Sequence, residues 1–278
     1  MQNADDNIYP RKVIPKLTFV LRKLAEGGYL FVCCNEKGFT EEHVRAICRV
    51  RHSSKPKATG ECTGEKGIGF KSVFSVASTV WIKSRALEFR FERDAPLGTI
   101  APIWCPGEFP SGCLVDDTTM LALYIPERDD FQKVGVAMEL LDYEIILFLR
   151  KISNIEIRTV NDKGKELPTK SISRDTRKEA RYRKVWIKER VQDADAGTSS
   201  FIVTDRIARP MPTVSSRQSR SQSGLSIAFP VDSDDQAIAE ERKAFCFLPI
   251  DRSFGLPVIS PKLQYGAHSN HVTVHNSS

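Results

Sequence analysis

This sequence has no run of about 18 or more uncharged apolar residues, the length a membrane-spanning helix requires. Its most apolar stretch, Val136 to Ile152, carries Glu139, Asp142, Glu144, Arg150 and Lys151 and reads as a core helix, so no membrane partner is expected. The first residues, Met1-Gln2-Asn3-Ala4-Asp5-Asp6, lack the basic-then-apolar order of a secretory leader. Also missing is any Cys-x-x-Cys pair. The seven cysteines (33, 34, 48, 62, 105, 113, 246) form an odd set, and three of the five histidines fall at 268, 271 and 275. Neither a zinc site nor a disulfide framework is expected from that pattern. The thiols suit a reducing, intracellular address, cytoplasmic or nuclear. An excess of one charge is lacking too: a formal +6 over 278 residues permits a polyanionic partner without demanding one.

What is present is enough apolar material, 41% hydrophobic against 27% charged residues, for two ordinary domains. Residues 17 to 24 suit strand or helix. Tyr29 to Cys34 is a compact apolar run between Gly28 and Asn35-Glu36-Lys37-Gly38, which favours a buried strand ending in a turn. A helix is expected next, with Thr40 as N-cap, Glu41 and Glu42 at its positive end, and Val44, Ile47 and Cys48 on one face. Polar, aperiodic residues from His52 to Thr63 run into glycines 64, 67 and 69, the pattern of a flexible cover at roughly 51 to 70. Phe70 to Val76 has helical spacing, Val80 to Ser84 and Leu87 to Phe91 suit a hairpin, and Thr119 to Tyr124 suits a strand. Together they predict an α/β fold, a two-layer sandwich of one mixed sheet with helices on one face.

Past a boundary near residue 130 the pattern changes. A helix is expected over Ala137 to Arg150, followed by strands at Ile152 to Thr159, Val185 to Arg190, Phe201 to Thr204 and Leu225 to Phe229. The expected division is therefore 1–130, a second mixed α/β domain over 131–260 with a mobile Ser/Arg loop at 214 to 224, and a disordered tail over 261–278.

Three segments in order carry chemistry. Gly64, Gly67 and Gly69 allow close backbone approach to a triphosphate, and the helix that follows Phe70 adds its positive end. Asn3 offers one oxygen to Mg²⁺, which commonly takes one or two from protein. Asn35, at the end of a buried strand, can accept a hydrogen bond from an exocyclic amine of adenine, and Gly38 leaves room for the ring.

The order and spacing of these segments resemble the GHKL nucleotide-binding superfamily (gyrase, heat-shock chaperone, histidine kinase, MutL), most closely its sacsin/NO VEIN-like branch. Asn3-Ala4-Asp5-Asp6-Asn7 resembles the N-box, whose first Asn holds Mg²⁺. Cys34-Asn35-Glu36-Lys37-Gly38-Phe39 resembles the adenine-binding Asp-x-Gly-x-Gly box in an Asn-Glu variant. Gly64-Glu65-Lys66-Gly67-Ile68-Gly69-Phe70 resembles the Gly-rich box, and Thr119 falls where the family has a strand Thr near adenine. The resemblance covers about residues 1 to 125, with Phe245 to Pro257 similar to the continuation of the same branch. It implies a Bergerat-type fold, ATP and Mg²⁺ as ligands, and a chaperone-like or regulatory protein with protein clients or further domains as partners. The implied nucleotide contacts are Asn3, Asp6, Asn7, Asn35, Gly38, Gly64, Lys66, Gly67, Ile68, Gly69, Phe70 and Thr119, with Asn3 on the metal. Lys66 and Lys71 suit solvated charges as well as phosphate contacts. The family's catalytic Glu would lie one helical turn before Asn3, ahead of Met1, so ATP hydrolysis by these residues is expected to be weak or absent, and no catalytic residue is assigned.

Two other readings stand beside this one. A non-catalytic interaction module could keep the fold without nucleotide. Arg174 to Arg190, with eight Lys or Arg against Asp175, Glu179 and Glu189 and with Tyr182 and Trp186 interleaved, suits a nucleic-acid backbone. Such a run more often forms the outer face of strands, so nucleic acid is not the expected partner.

Overall fold

The computed structural model describes residues 1–48, 70–192, 194–208, 223–238, 243–246, 248–253 and 260–261. These divide into two compact units, Met1–Thr176 with Val185–Ser200, and Arg177–Lys184 with the described part of Phe201–Ser278.

The first unit is built on a mixed sheet. Its strands are β1 (Lys16–Lys23), β2 (Gly28–Cys34), β3 (Thr79–Ser84), β4 (Leu87–Glu92), β5 (Ile103–Trp104), β6 (Thr119–Ile125), β7 (Asn154–Val160), β8 (Lys170–Lys178) and β9 (Arg183–Val191). Neighbours follow the order β9-β8-β7-β1-β2-β6-β3-β4-β5. β1 and β7 run parallel and the other registered pairs are antiparallel. Leu17 to Leu21 are all buried, as a central strand covered on both faces requires, so the stretch that suited strand or helix is strand as far as Lys23. The mixed α/β class expected from the sequence is the class observed.

Side chains alternate along each strand, so the register assigns two faces. Tyr29, Phe31 and Cys33 of β2 lie level with Tyr124, Ala122 and Met120 of β6 on one face; Leu30, Val32 and Cys34 lie level with Leu123, Leu121 and Thr119 on the other. Helices occupy the second face. Helix α1 (Gln2–Asp5) opens the chain, α2 (Glu41–Cys48) follows β2, a 3-10 helix spans Lys71–Ser75, and α3 (Arg128–Glu139) follows β6. Gly28 faces α3: a Cβ there would lie 2.5 Å from Cε2 of Phe131, so the missing side chain lets the helix sit down on the strand. The first face carries Tyr29 stacked on Phe31 with ring centroids 5.6 Å apart, Trp81 at 6.1 Å from Tyr29, and Phe109 at 6.2 Å from Phe31.

Two expectations differ from the structure. The helix placed over Ala137 to Arg150 begins earlier, at Arg128, and ends at Glu139; Tyr143–Phe148 is a separate buried 3-10 helix. Asp142 separates them, because its carboxylate accepts the N–H of Glu144 at 2.9 Å and starts a new turn. The boundary expected near residue 130 falls inside the first unit, because β7 pairs along the full length of β1, from Lys16↔Asn154 to Arg22↔Val160.

The second unit contains the far ends of β8 to β10 (β10, Ala194–Ala208), β11 (Ser223–Val231) and a small sheet of β12 (Lys243–Cys246), β13 (Leu248–Ser253) and β14 (Ser260–Pro261). Among the described residues after 151 the regular elements are strands alone. Residues 214–222 of the expected Ser/Arg loop and 262–278 of the expected tail lie outside the described residues. No helix of the described residues is long and apolar enough to cross a membrane.

Candidate functional site

The first two expected segments meet at the ends of β2 and β6. Asp5, 4% exposed, anchors the N-terminal turn: its carboxylate accepts the backbone N–H groups of Arg150 and Lys151 at 2.8 Å and of Ile152 at 2.9 Å. Asp6 pairs with the Arg150 guanidinium, and the Asn7 carbonyl accepts Lys151 Nζ at 2.6 Å. Asn3 lies exposed on α1. Two links run from this turn to β2. The Tyr9 hydroxyl donates to the Ala4 carbonyl at 2.8 Å and lies 3.1 Å from Cys34 Sγ, while Lys37 N–H donates to the Ile8 carbonyl at 2.8 Å. Since the Tyr9 proton goes to Ala4, the Cys34 thiol is the donor to Tyr9. Burial pushes the Tyr9 hydroxyl upward from its ordinary value and the Cys34 thiol up to about 11.

Next to Cys34 sits a buried polar cluster. Thr119 Oγ1 donates to Glu36 Oε1 at 2.6 Å and contacts Ser84 Oγ at 2.7 Å, and Ser84 Oγ accepts the N–H of Phe39 at 2.8 Å. All three side chains are buried, Glu36 at 3%, Thr119 at 2% and Ser84 at 0% exposure. The register explains the meeting: Thr119 is level with Cys34 on one side and with Ser84 on the other. The buried Glu36 carboxyl is held by one hydroxyl donor, Thr119, which Ser84 meets from its other side.

Asn35 has a different job from the one expected. Its Oδ1 accepts the Lys16 N–H and its Nδ2 donates to the Ile14 carbonyl, both at 2.8 Å, so the carboxamide ties the start of β1 to the end of β2. Glu36, one residue on, holds the buried acceptor position. Gly38, at φ +91°, is not open space either: a Cβ built on it would lie 2.6 Å from Nε and 2.7 Å from Cγ of Arg85. Phe70 packs edge-on against Phe91 with centroids 5.7 Å apart. The Lys71 ammonium bonds the Thr99 carbonyl and sits 4.8 Å over the Phe91 ring; burial lowers its pKa. It is neither a solvated charge nor free for phosphate. Gly64, Lys66, Gly67, Ile68 and Gly69, with the cover expected over 51 to 70 as far as residue 69, lie outside the described residues.

Sequence reasoning missed Glu36, Ser84, Tyr9 and Asp5. With Gly38 as the second glycine, the Asp-x-Gly-x-Gly order places its acidic position at Cys34, one before the Asn35 expected; with Gly38 as the first glycine it places Glu36 there. No group of three or more His, Cys, Asp or Glu suited to a metal occurs among the described residues. A cleft of about 340 Å³ opens between α2 and the β4–β5 edge, lined by Glu41, Val44, Arg45, Cys48, Leu87, Pro102 and Trp104. None of the expected site residues that are described lines it, and its walls are mostly hydrocarbon. Of the eight basic residues in Arg174 to Arg190, five are engaged: Arg174 with the Ile146 carbonyl, Arg177 with Glu179, Arg183 with Asp205, Lys184 with Asp235 and Arg190 with Asp195.

Fold and cluster thus define a mixed α/β module with a carboxylate–hydroxyl group buried at one end of its central strands. No family model matches the chain. It is 45% identical over 107 residues to the Protein NO VEIN of Arabidopsis thaliana, a stretch that is 38% of this chain and 4% of that protein. The chain therefore spans a small part of the curated relative it matches. Among solved structures it is similar to the B-subunit of the DNA gyrase from Myxococcus xanthus, at 12% identity and a TM-score of 0.36, covering 63% of this chain and 56% of that one.

Proposed function

We propose that this chain is a GHKL-type ATP-binding module, of the sacsin/NO VEIN-like kind, within a larger chaperone-like or regulatory protein, with Mg²⁺ bound alongside the nucleotide. The observation that carries the reading is the buried Glu36–Thr119 pair. Glu36-Lys37-Gly38 supplies the carboxylate and glycine of the Asp-x-Gly order with Glu for Asp, and a strand threonine stands beside it. Thr119 occupies one carboxylate oxygen, so the other is the acceptor for the exocyclic amine of adenine. For the metal, the exposed carboxamide of Asn3 fits a Mg²⁺ ion that keeps phosphate oxygens and water as its remaining ligands. Asp6, paired with Arg150, orients the turn that presents Asn3.

One observation favours the interaction-module reading, and it is Arg85 lying where Gly38 would admit a ring. Calorimetric titration with ATP and ADP, with and without Mg²⁺, separates the two. The wild-type chain is expected to bind with Mg²⁺ dependence, and Glu36→Ala to bind at least about tenfold more weakly, roughly the 1.4 kcal/mol of one hydrogen bond. Binding seen with Arg85→Ala and not with the wild type would support the interaction module. No heat from any folded variant would end the nucleotide reading.

A further inference from the structure

We propose that Cys33 and Cys113 form an oxidisable dithiol, a site at which a hydroperoxide converts two thiols into one disulfide. Their sulfurs lie 3.4 Å apart, although the residues are separated by 80 positions in sequence. Cys33 is fully buried on β2, on the sheet face away from the Glu36 cluster, and Cys113 is half-buried in the connection between β5 and β6. One sulfur is thus shielded and the other reachable. The remaining gap to a disulfide, whose sulfurs sit about 2.05 Å apart, closes by a small shift of one partner. Cys113 lies outside the strands, next to Gly112 at φ +93°, whereas Cys33 is fixed within the β1–β2–β6 ladder.

The electrostatics match that division of labour. Cys113 Sγ donates to the Val115 carbonyl at 3.2 Å, which leaves the Cys33 S–H to bond across the pair; that bond lowers the Cys113 thiol and raises the Cys33 thiol, against burial and the charges of Asp117 and Asp116, which raise Cys113. Lys16 faces the Cys33 side of the pair. Cys34, Cys48 and Cys105 are all pushed upward by burial, so among the described cysteines Cys113 is the one whose thiol is shifted downward, which makes it the attacking sulfur.

In the reaction the Cys113 thiolate attacks one peroxide oxygen, the O–O bond breaks, and the leaving hydroxide takes a proton to become water. Cys113 is then a sulfenic acid. The Cys33 sulfur attacks the Cys113 sulfur, the S–O bond breaks, and the departing hydroxide takes the Cys33 proton. Two thiols and one hydrogen peroxide give one disulfide and two waters; the sulfurs lose the two electrons that the peroxide gains. The bond would fasten the connection to β2 one residue before Cys34.

The test treats the whole chain near pH 7.4 with hydrogen peroxide, blocks remaining thiols with N-ethylmaleimide, digests with trypsin and fragments the products in a mass spectrometer. Residues 24–37 and 94–128 are the two peptides concerned, and each holds a second cysteine, Cys34 and Cys105, so fragmentation must place the link. The expected product joins Cys33 to Cys113, two mass units lighter than the two free thiols, and reverts with dithiothreitol. Cys113→Ala should abolish the link and slow peroxide consumption at least about tenfold. Cys105→Ala, as a control for substitution, should leave both unchanged. A link involving Cys34 or Cys105 instead, or Cys113 carried on to sulfinic acid with Cys33 still free, overturns the proposal.

Discussion

A buried carboxylate that depends on a threonine hydroxyl can be broken by one atom. Replacing Thr119 by Val keeps the shape and removes the donor, leaving Glu36 unpaired at a cost of about 1–3 kcal/mol. Thr119→Ser keeps the hydroxyl and should recover most of that loss, so urea midpoints of the two variants measure the hydroxyl itself. Cys34 gives a second residue-scale prediction. Its thiol holds its proton to about pH 11 in the folded chain but loses it near 9.0 when unfolded. Between those values the folded state carries the extra proton, so stability falls as pH rises. Urea midpoints taken across that window should fall less steeply in Cys34→Ala than in the wild type; equal slopes would mean the thiol is not desolvated. Glu36 was not legible as a site residue in the sequence. A polar residue after an apolar run looks the same whether it caps a strand, as Asn35 does, or turns inward, as Glu36 does; the cross-strand register with Thr119 and Ser84 decides.

At the scale of elements, four-residue α1 is too short to hold itself together and is placed by Asp5 instead. Three backbone N–H groups converge on one carboxylate, so Asp5→Ala should cost at least about 2 kcal/mol, given charge-assisted hydrogen bonds of roughly 1.5–3 kcal/mol each that do not add fully. Hydrogen exchange should then show the amides of 150–152 released together; protection that survives would mean other groups hold that turn. β2, β3, β4 and β6 were legible as compact apolar runs bounded by turn residues, whereas β1, buried along five successive residues, carries no strand period and suited strand or helix alike. β8 was not: in Lys-Ser-Ile-Ser-Arg-Asp-Thr-Arg-Lys a single residue, Ile172, is buried, and the strand is held by its ladder to β7 rather than by apolar side chains. The break at Asp142 was hidden because a run of apolar residues suits a long helix and a short buried 3-10 turn alike.

For the first unit as a whole, the decisive contact is the parallel pairing of β1 with β7, which joins residues on either side of the boundary expected near 130. Parallel partners distant in sequence leave no local turn signal, so a shift in pattern along the chain resembles a domain limit even where the strands on either side of it pair. The consequence can be tested by cutting the chain. A fragment 1–130 loses β7, the 150–152 donors to Asp5 and the 3-10 helix whose Ile145, Ile146 and Leu147 are buried. It would leave β1, apolar on both faces, as an unpaired edge, which invites pairing with other chains. A fragment 1–200 keeps every strand of the unit. The expected outcome is a monodisperse 1–200 with dispersed amide resonances and cooperative urea unfolding, and a 1–130 that aggregates or lacks a cooperative transition. Light scattering after gel filtration and a two-dimensional amide spectrum read both. A monomeric 1–130 with a transition as sharp as that of 1–200 would show that β1 does not need β7, and would put the working boundary back near residue 130.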